Sequence, residues 1–224
     1  MIGLKKLNKP AILIQNANEW TELYLAYKEG DENVSKRVGS KYSHKEVKKT
    51  LIEETHGKCA YCESKILHIS FGDIEHIVPK SEVPEKCFQW DNLTLACTVC
   101  NNNKRDFYDV DNLLIDPYID DPNEHFYFAG PMLIEKTEKA ILTRSKLDLN
   151  RAELFEDRTR YLENLSGFTM QIQSATNPVL REALFDDFRK KAKIEQEYCK
   201  MVSDFLELFE SKYNLCETSY TLQK

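Results

Sequence analysis

The chain is predicted to fold as an α+β protein in which a small metal-stapled module of hairpin and helix lies between two helical regions. Three observations predict this. Two Cys-x-x-Cys pairs, Cys59-Ala-Tyr-Cys62 and Cys97-Thr-Val-Cys100, have the spacing of one tetrahedral zinc site. Between them, β-branched residues over 65–69 and 74–78 flank the turn Ser70-Phe-Gly-Asp73 and read as a hairpin. Outside them, apolar residues recur at helical spacing behind capping signals.

The elements follow in order. Residues 18–29 have helical propensity, with Asn18 as a cap. Ser43 is expected to cap a second helix, with Glu46 closing a capping box and Val47, Leu51 and Ile52 on the apolar face. Gly57 is the expected stop. Pro79 ends the hairpin, and a helix starts at Cys97. Residues 106–135 read as loop, broken by Asp116-Pro117, Asp121-Pro122 and Gly130-Pro131. A helix over 150–165 takes Asn150 as its cap and turns Leu154, Tyr161 and Leu165 inward. A last helix starts at Asn177-Pro178 and carries the stripe Leu180, Leu184, Phe188, Tyr198, Met201, Phe205 and Leu208, which reads as core. The expected organisation is therefore an N-terminal helical region (1–57), the metal module (58–110), a loop-rich connector (111–149) and a C-terminal helical region (150–224).

At 224 residues, 42% hydrophobic and 30% charged, the composition is that of a soluble globular protein. Its apolar runs are too short to span a bilayer. The start, Met1-Ile-Gly-Leu-Lys-Lys, lacks the apolar core of a signal peptide, so a cytoplasmic location is expected. In that reducing compartment, cysteine pairs imply metal rather than disulfides. Formal net charge is −6. Residues 106–150 hold four basic against ten acidic side chains. A basic cluster is local: Lys36, Arg37, Lys41, Lys45, Lys48 and Lys49. Such acidity implies that affinity for a polyanion comes partly from a partner subunit.

The four thiols Cys59, Cys62, Cys97 and Cys100 are the candidate ligands of a structural zinc. Cys87 is the rival fourth ligand, Cys199 reads as a packed thiol, and Cys216 looks incidental. What the pairs enclose suits phosphodiester hydrolysis, which needs an activated water, a cation on the phosphate and groups that align both. His76 is the natural general base. Glu75 points to the other side of the strand, yet reaches a metal if the strand bends. Asn101, directly after the last cysteine, offers an amide oxygen to a hard cation such as magnesium. Asn92 is expected to bond backbone and brace the loop that aims the imidazole. Lys104 and Arg105 are the candidate phosphate contacts on the helix face. His56, His68 and His125 read as ordinary structural or solvated histidines.

Cys-x-x-Cys, Glu75-His-Ile-Val-Pro79, Asp91-Asn-Leu93 and Cys97-x-x-Cys-Asn-x-x-Lys104 together resemble the HNH endonuclease family in its zinc-bound form. The resemblance implies a zinc-stapled ββα-metal module, with His76 as base, Asn92 as the middle residue, and Asn101 where the family often has a histidine. It also places Glu75 where an Asp is commoner and Lys104 on the basic helix position. Oxygen ligands from Glu75 and Asn101 favour magnesium or manganese for the catalytic cation. The flanks, including Leu114-Ile-Asp-Pro117 and Leu147-Asp-Leu-Asn-Arg151, are similar to HNH nucleases of bacterial anti-phage systems, of the Septu type and linked to retrons. That likeness implies a nucleic-acid substrate, DNA or RNA, and an ABC-type ATPase (PtuA-like) as partner. The alternative is a catalytically silent HNH-like zinc module that binds nucleic acid or a protein.

Overall fold

The computed structural model describes residues 1–66 and 70–221, with the backbone alone over 212–221. His68 and the end of the first predicted strand, and the side chain of Cys216, therefore lie outside the described residues. The first helix, α1 (Ala11–Lys28), buries Leu13, Ala17, Trp20 and Tyr24 on one stripe. It starts at Pro10 rather than at Asn18, because that stripe continues a full turn further back; Asn18 is exposed on the outer face. A 3-10 turn (Lys36–Ser43) leads into α2 (Lys45–Glu54). The cap of α2 is His44, whose side chain accepts from the Glu46 N–H at 3.3 Å. Ser43 instead closes the 3-10 turn by donating to the Ser40 carbonyl at 2.8 Å.

Among the described residues, the second strand of the expected hairpin pairs elsewhere; residues 67–69 of the first lie outside them. Strand β1 (Asp73–His76) pairs antiparallel with β2 (Leu93–Ala96), with Asp73 opposite Ala96 and His76 opposite Leu93. Among the described residues, Lys65 makes an isolated bridge to Lys58. All four residues of β2 are buried, so the strand has no alternating pattern to read. Helix α3 (Thr98–Lys104) starts at Cys97, as expected. The strand pair also packs on α2 and on the N-terminal segment. Glu54, buried at the end of α2, accepts from Lys6 Nζ (3.1 Å), Leu7 N–H (3.0 Å) and the Tyr118 hydroxyl (2.5 Å). Lys6 also donates to the Leu93 carbonyl and lies over the rings of Trp90 and Tyr118.

The connector is more ordered than its sequence suggests. A short turn of helix α4 (Pro122–His125) leads to β3 (Phe126–Ala129), which pairs with β4 (Met132–Glu135). Gly130-Pro131, read as a breaker, is the turn of this hairpin, and Gly130 adopts φ 60°. Helix α5 (Glu138–Leu147) follows, capped by Thr137. Helix α6 runs over Ala152–Ser174, well beyond the expected end. Asn150 does not cap it; its amide clips the Leu133 backbone at 3.1 and 2.8 Å and ties β4 to the helix start. The last predicted helix is two: α7 (Pro178–Arg189), capped by Asn177, and α8 (Cys199–Thr221). Its stripe divides accordingly. Phe188, Tyr198 and Met201 are core, whereas Leu180 and Leu208 are exposed. Phe168 stacks on Phe188 at 5.4 Å in the bundle core, beside Leu165, Ile172, Val202 and Leu206. Among the described residues, no helix is long and apolar enough to cross a membrane.

One buried charge cluster joins the cysteine module to α8. Glu63, in the left-handed region at φ 66°, lies 2.7 Å from the Met1 α-ammonium and 4.0 Å from Lys58 Nζ. It also accepts from the Cys199 thiol (3.1 Å) and the Lys200 N–H (3.2 Å). Burial alone would raise its carboxyl, but the two cations outweigh that and hold it at about 2. Glu63→Gln leaves two buried cations without a counter-charge. The expected loss is about 3–5 kcal/mol at neutral pH, read from urea unfolding of the metal-loaded protein.

Candidate active site

The cysteine cluster assembles from the loop after α2 and the start of α3. The sulfurs of Cys59, Cys62, Cys97 and Cys100 all lie within 4.8 Å of one another, and those of Cys62 and Cys97 are 3.8 Å apart. A tetrahedron with zinc–sulfur arms of about 2.3 Å has an edge of about 3.8 Å. The site therefore has the size, the donors and the burial of a thiolate metal centre, and is consistent with zinc. Hydrogen bonds from the neighbouring thiols hold Cys62 well below the usual thiol range, whereas burial pushes Cys59 up. Several thiolates this close and this dry need a cation among them. Arg151 Nη1 lies 3.8 Å from Cys100 Sγ and adds positive charge at the rim. Cys87 is buried outside the cluster, and burial pushes its thiol up to about 11.

His76 ends β1 in a buried pocket. Its Nε2 lies 2.9 Å from the Cys87 carbonyl. A carbonyl only accepts, so Nε2 carries the proton and Nδ1 keeps the lone pair. Tyr42, delivered by the 3-10 turn, packs edge-on against the imidazole at 4.5 Å between centroids. That turn sits tight on α1: a Cβ at Gly39 would fall 2.7 Å from the Tyr24 ring. Lys80 fastens the same corner, donating to the Gly39 carbonyl at 2.7 Å and lying over the Tyr42 ring. Burial pushes the imidazole down to about 4, against the pull of the Cys87 carbonyl and with help from Lys80 and Lys104. The ring is thus neutral near pH 7, with the Nδ1 lone pair unprotonated.

Asn92 commits its whole amide to backbone. Its Oδ1 accepts from the Val78 N–H (2.7 Å), and its Nδ2 donates to the carbonyls of Val78 (2.9 Å) and Lys86 (3.1 Å). The clamp closes the loop from β1 to β2, and that loop supplies the Cys87 carbonyl.

The polar residues between β1 and α3 form two separate pairs. Glu75 is buried, with Oε1 2.6 Å from Lys104 Nζ. Burial raises its carboxyl, and the Lys104 ammonium pulls it back. Asn101 donates from Nδ2 to Asp73 Oδ2 at 3.0 Å. No hydrogen bond or ion pair joins Glu75 to Asn101 among the described residues. Lys104, expected on the outer face of the helix, is 3% exposed and also donates to the His76 carbonyl at 2.8 Å. Arg105 is exposed at the end of α3. Lys48, alone of the basic cluster, reaches the cleft, donating to the Gly72 carbonyl at 2.5 Å. Tyr42, Asp73 and Lys80 are the residues that sequence reasoning passed over. The signal for Asp73 was present, since it shares a strand face with Glu75 two residues on.

A strand pair and a helix clasped by four cysteines, with a buried histidine at the strand end, is the architecture of an HNH nuclease domain. Residues 59–107 match the family model for HNH endonuclease, and this segment is an HNH domain. The chain is similar beyond that segment to two proteins named Septu protein PtuB. One, from Bacillus mycoides (strain KBAB4), is 27% identical over 94% of this chain and 82% of its own length. The other, from Bacillus thuringiensis, is 30% identical over 75% of this chain and 60% of its own length.

Structural zinc contributes roughly 10–16 kcal/mol in small domains. That is comparable with the roughly 5–15 kcal/mol stability of a whole domain. Cys62→Ser is therefore expected to lose tightly bound metal by elemental analysis and to lose the cooperative melt of the HNH domain.

Proposed function

We propose that this chain is a metal-dependent HNH endonuclease that hydrolyses phosphodiester bonds, and the nuclease subunit of a Septu-like anti-phage system in the cytoplasm. The observation that carries the reading is His76: a neutral, buried imidazole whose Nε2–H is spent on a backbone carbonyl, leaving Nδ1 free to take a proton. Asn92 holds the carbonyl's loop, and Tyr42 holds the ring plane. Asn101, together with a carboxylate of β1, would hold a magnesium or manganese ion; Glu75 is the sequence-derived choice. A cation bound there supplies charge neutralisation on the phosphate and the leaving oxygen. Lys48 at the cleft and exposed Arg105 offer phosphate contacts. The structural ion of the cysteine cluster is zinc, on the strength of four thiolate donors at tetrahedral spacing.

The partner in this reading is an ABC-type ATPase subunit, supported by the likeness to the two PtuB proteins and by the acidic balance of the chain. A subunit with net charge −6 carries little nonspecific attraction for a polyanion and gains from a second chain that supplies it.

Cleavage should require magnesium or manganese, and His76→Ala should lower its rate by about 10²–10⁴-fold. The same variant should keep its zinc content, because His76 lies outside the cysteine cluster. Nuclease assays on DNA and RNA, with and without the ATPase, check this. Undiminished cleavage by the variant removes His76 as the base.

A further inference from the structure

The connector after α3 leaves large apolar side chains in the open: Ile119 is 83% exposed, Val110 69% and Leu113 46%. Single exposed side chains need no explanation, but these line concave surface. Ile119 and Leu113 belong to a cavity of about 290 Å³, walled also by Ile77, Val78, Tyr108 and Leu114. A more open groove shares Phe107, Asp109 and Leu113 with that cavity and continues past Val110 and Leu142. Pockets for small molecules run from roughly 300 to 1,000 Å³. The cavity is at the small end of that range, with room for one large side chain, and the groove gives the adjoining residues of a bound chain somewhere to lie.

The charge of this surface selects its occupant. Asp91, Asp109, Asp116 and Asp120 line the cavity, against Lys86, Lys104 and Lys139. Two of those lysines are spent. Lys139 donates to both oxygens of Asp120 at 2.8 and 2.7 Å, and Lys104 is paired with Glu75 at 2.6 Å. Asp91 and Asp109 make no ion pair among the described residues, and Asp111 extends the same sign along the groove. Such a wall repels a polyanion and attracts a cationic chain.

Tyr61 also lines the cavity. It is 2% exposed, and its buried hydroxyl has no hydrogen-bond partner among the described residues. An unpaired hydroxyl in a dry setting is costly, and an occupant with an N–H or O–H at its tip relieves that cost. Trp and Tyr side chains combine such a tip with an apolar body. Part of the wall belongs to the HNH domain itself. Ile77 and Val78 follow His76, Asn92 clamps Val78, and Lys104 holds the His76 carbonyl. An occupant therefore rests against the groups that place the imidazole.

We propose that this cavity and groove dock a short segment of a partner protein, in which one Trp or Tyr fills the cavity and flanking Lys or Arg residues meet the acidic wall. The docking site stands whether or not the chain cleaves nucleic acid.

The test pans the full zinc-loaded chain against a random-peptide display library, then measures the enriched peptides by calorimetry. They should carry a Trp or Tyr flanked by basic residues, and replacing that aromatic by Ala should weaken binding at least about tenfold. Ile119→Lys changes an exposed side chain, so its melting temperature should match the wild type, and it should weaken the same peptides at least about tenfold. Asp91→Asn/Asp109→Asn should weaken them and flatten their salt dependence. Tyr61→Phe should weaken them without unfolding the chain. Failure to enrich any peptide overturns the proposal, as does affinity indifferent to Ile119→Lys. Indole alone binding as tightly as the peptides makes this a small-molecule site and overturns it. A dimer of the chain in sedimentation, broken by Ile119→Lys, makes it an interface between copies and overturns it too.

Discussion

Four sulfurs within 4.8 Å of one another hold together two stretches of chain separated by 35 residues, and the candidate site hangs from them. The first pair lies in the loop after α2, one residue before Glu63, whose carboxylate reaches α8. The second pair opens α3, where the Cys97 sulfur itself caps the helix by accepting from the Cys100 N–H. Asn101 is the next residue. Its position relative to β1 is therefore set by the cluster to within one peptide unit. A helix of seven residues has little stability of its own, so its place depends on what clamps its start.

The clamp is completed by buried polar contacts. Lys104 at the end of α3 is held by Glu75 and by the His76 carbonyl, so both ends of the helix are fixed to the same strand. Asn92 fixes the loop on the far side through three backbone bonds. Between these supports sits one imidazole with a single tautomer. Each support is a hydrogen-bonded group in a dry setting, where leaving one partner unmade costs more than making the bond gains. That asymmetry keeps the site in one arrangement.

The flanking helices have a structural part in this. Gly39 lets the 3-10 turn approach α1 closely enough to deliver Tyr42 to the imidazole. Glu54 of α2 gathers Lys6, Leu7 and Tyr118 around β2. Arg151 and Glu63 bring α6 and α8 to the cysteine cluster. The core is continuous from Leu13 through the strand pair to Met201, so the HNH domain shares its interior with the segments on both sides.

Some of this was legible in the chain alone. The cysteine spacing, the helix start at Cys97, the cap at Asn177 and the histidine after an acid are local signals, set by neighbours in sequence. Asn92 as a backbone brace was legible too, because an amide in a short loop has few other uses. Strand pairing was beyond reach. Leu93–Ala96 is buried on both faces and carries no alternation, so nothing in it names its partner as Asp73–His76 rather than the stretch before Ser70. The break between α7 and α8 was equally hidden, since the ten-residue step from Phe188 to Tyr198 contains no proline or glycine to mark it. The roles of the charged residues depended on burial. Lys104 reads in sequence as a surface cation beside Arg105, yet it is interior, and only the packing of α3 on β1 tells the two apart. Sequence by itself determined which chemistry the chain carries, because residue type sets donor, acceptor and ligand character. Which of those groups meet, and which are shut away from water, was decided by the tertiary structure, because pairing and desolvation are long-range properties of the packed chain.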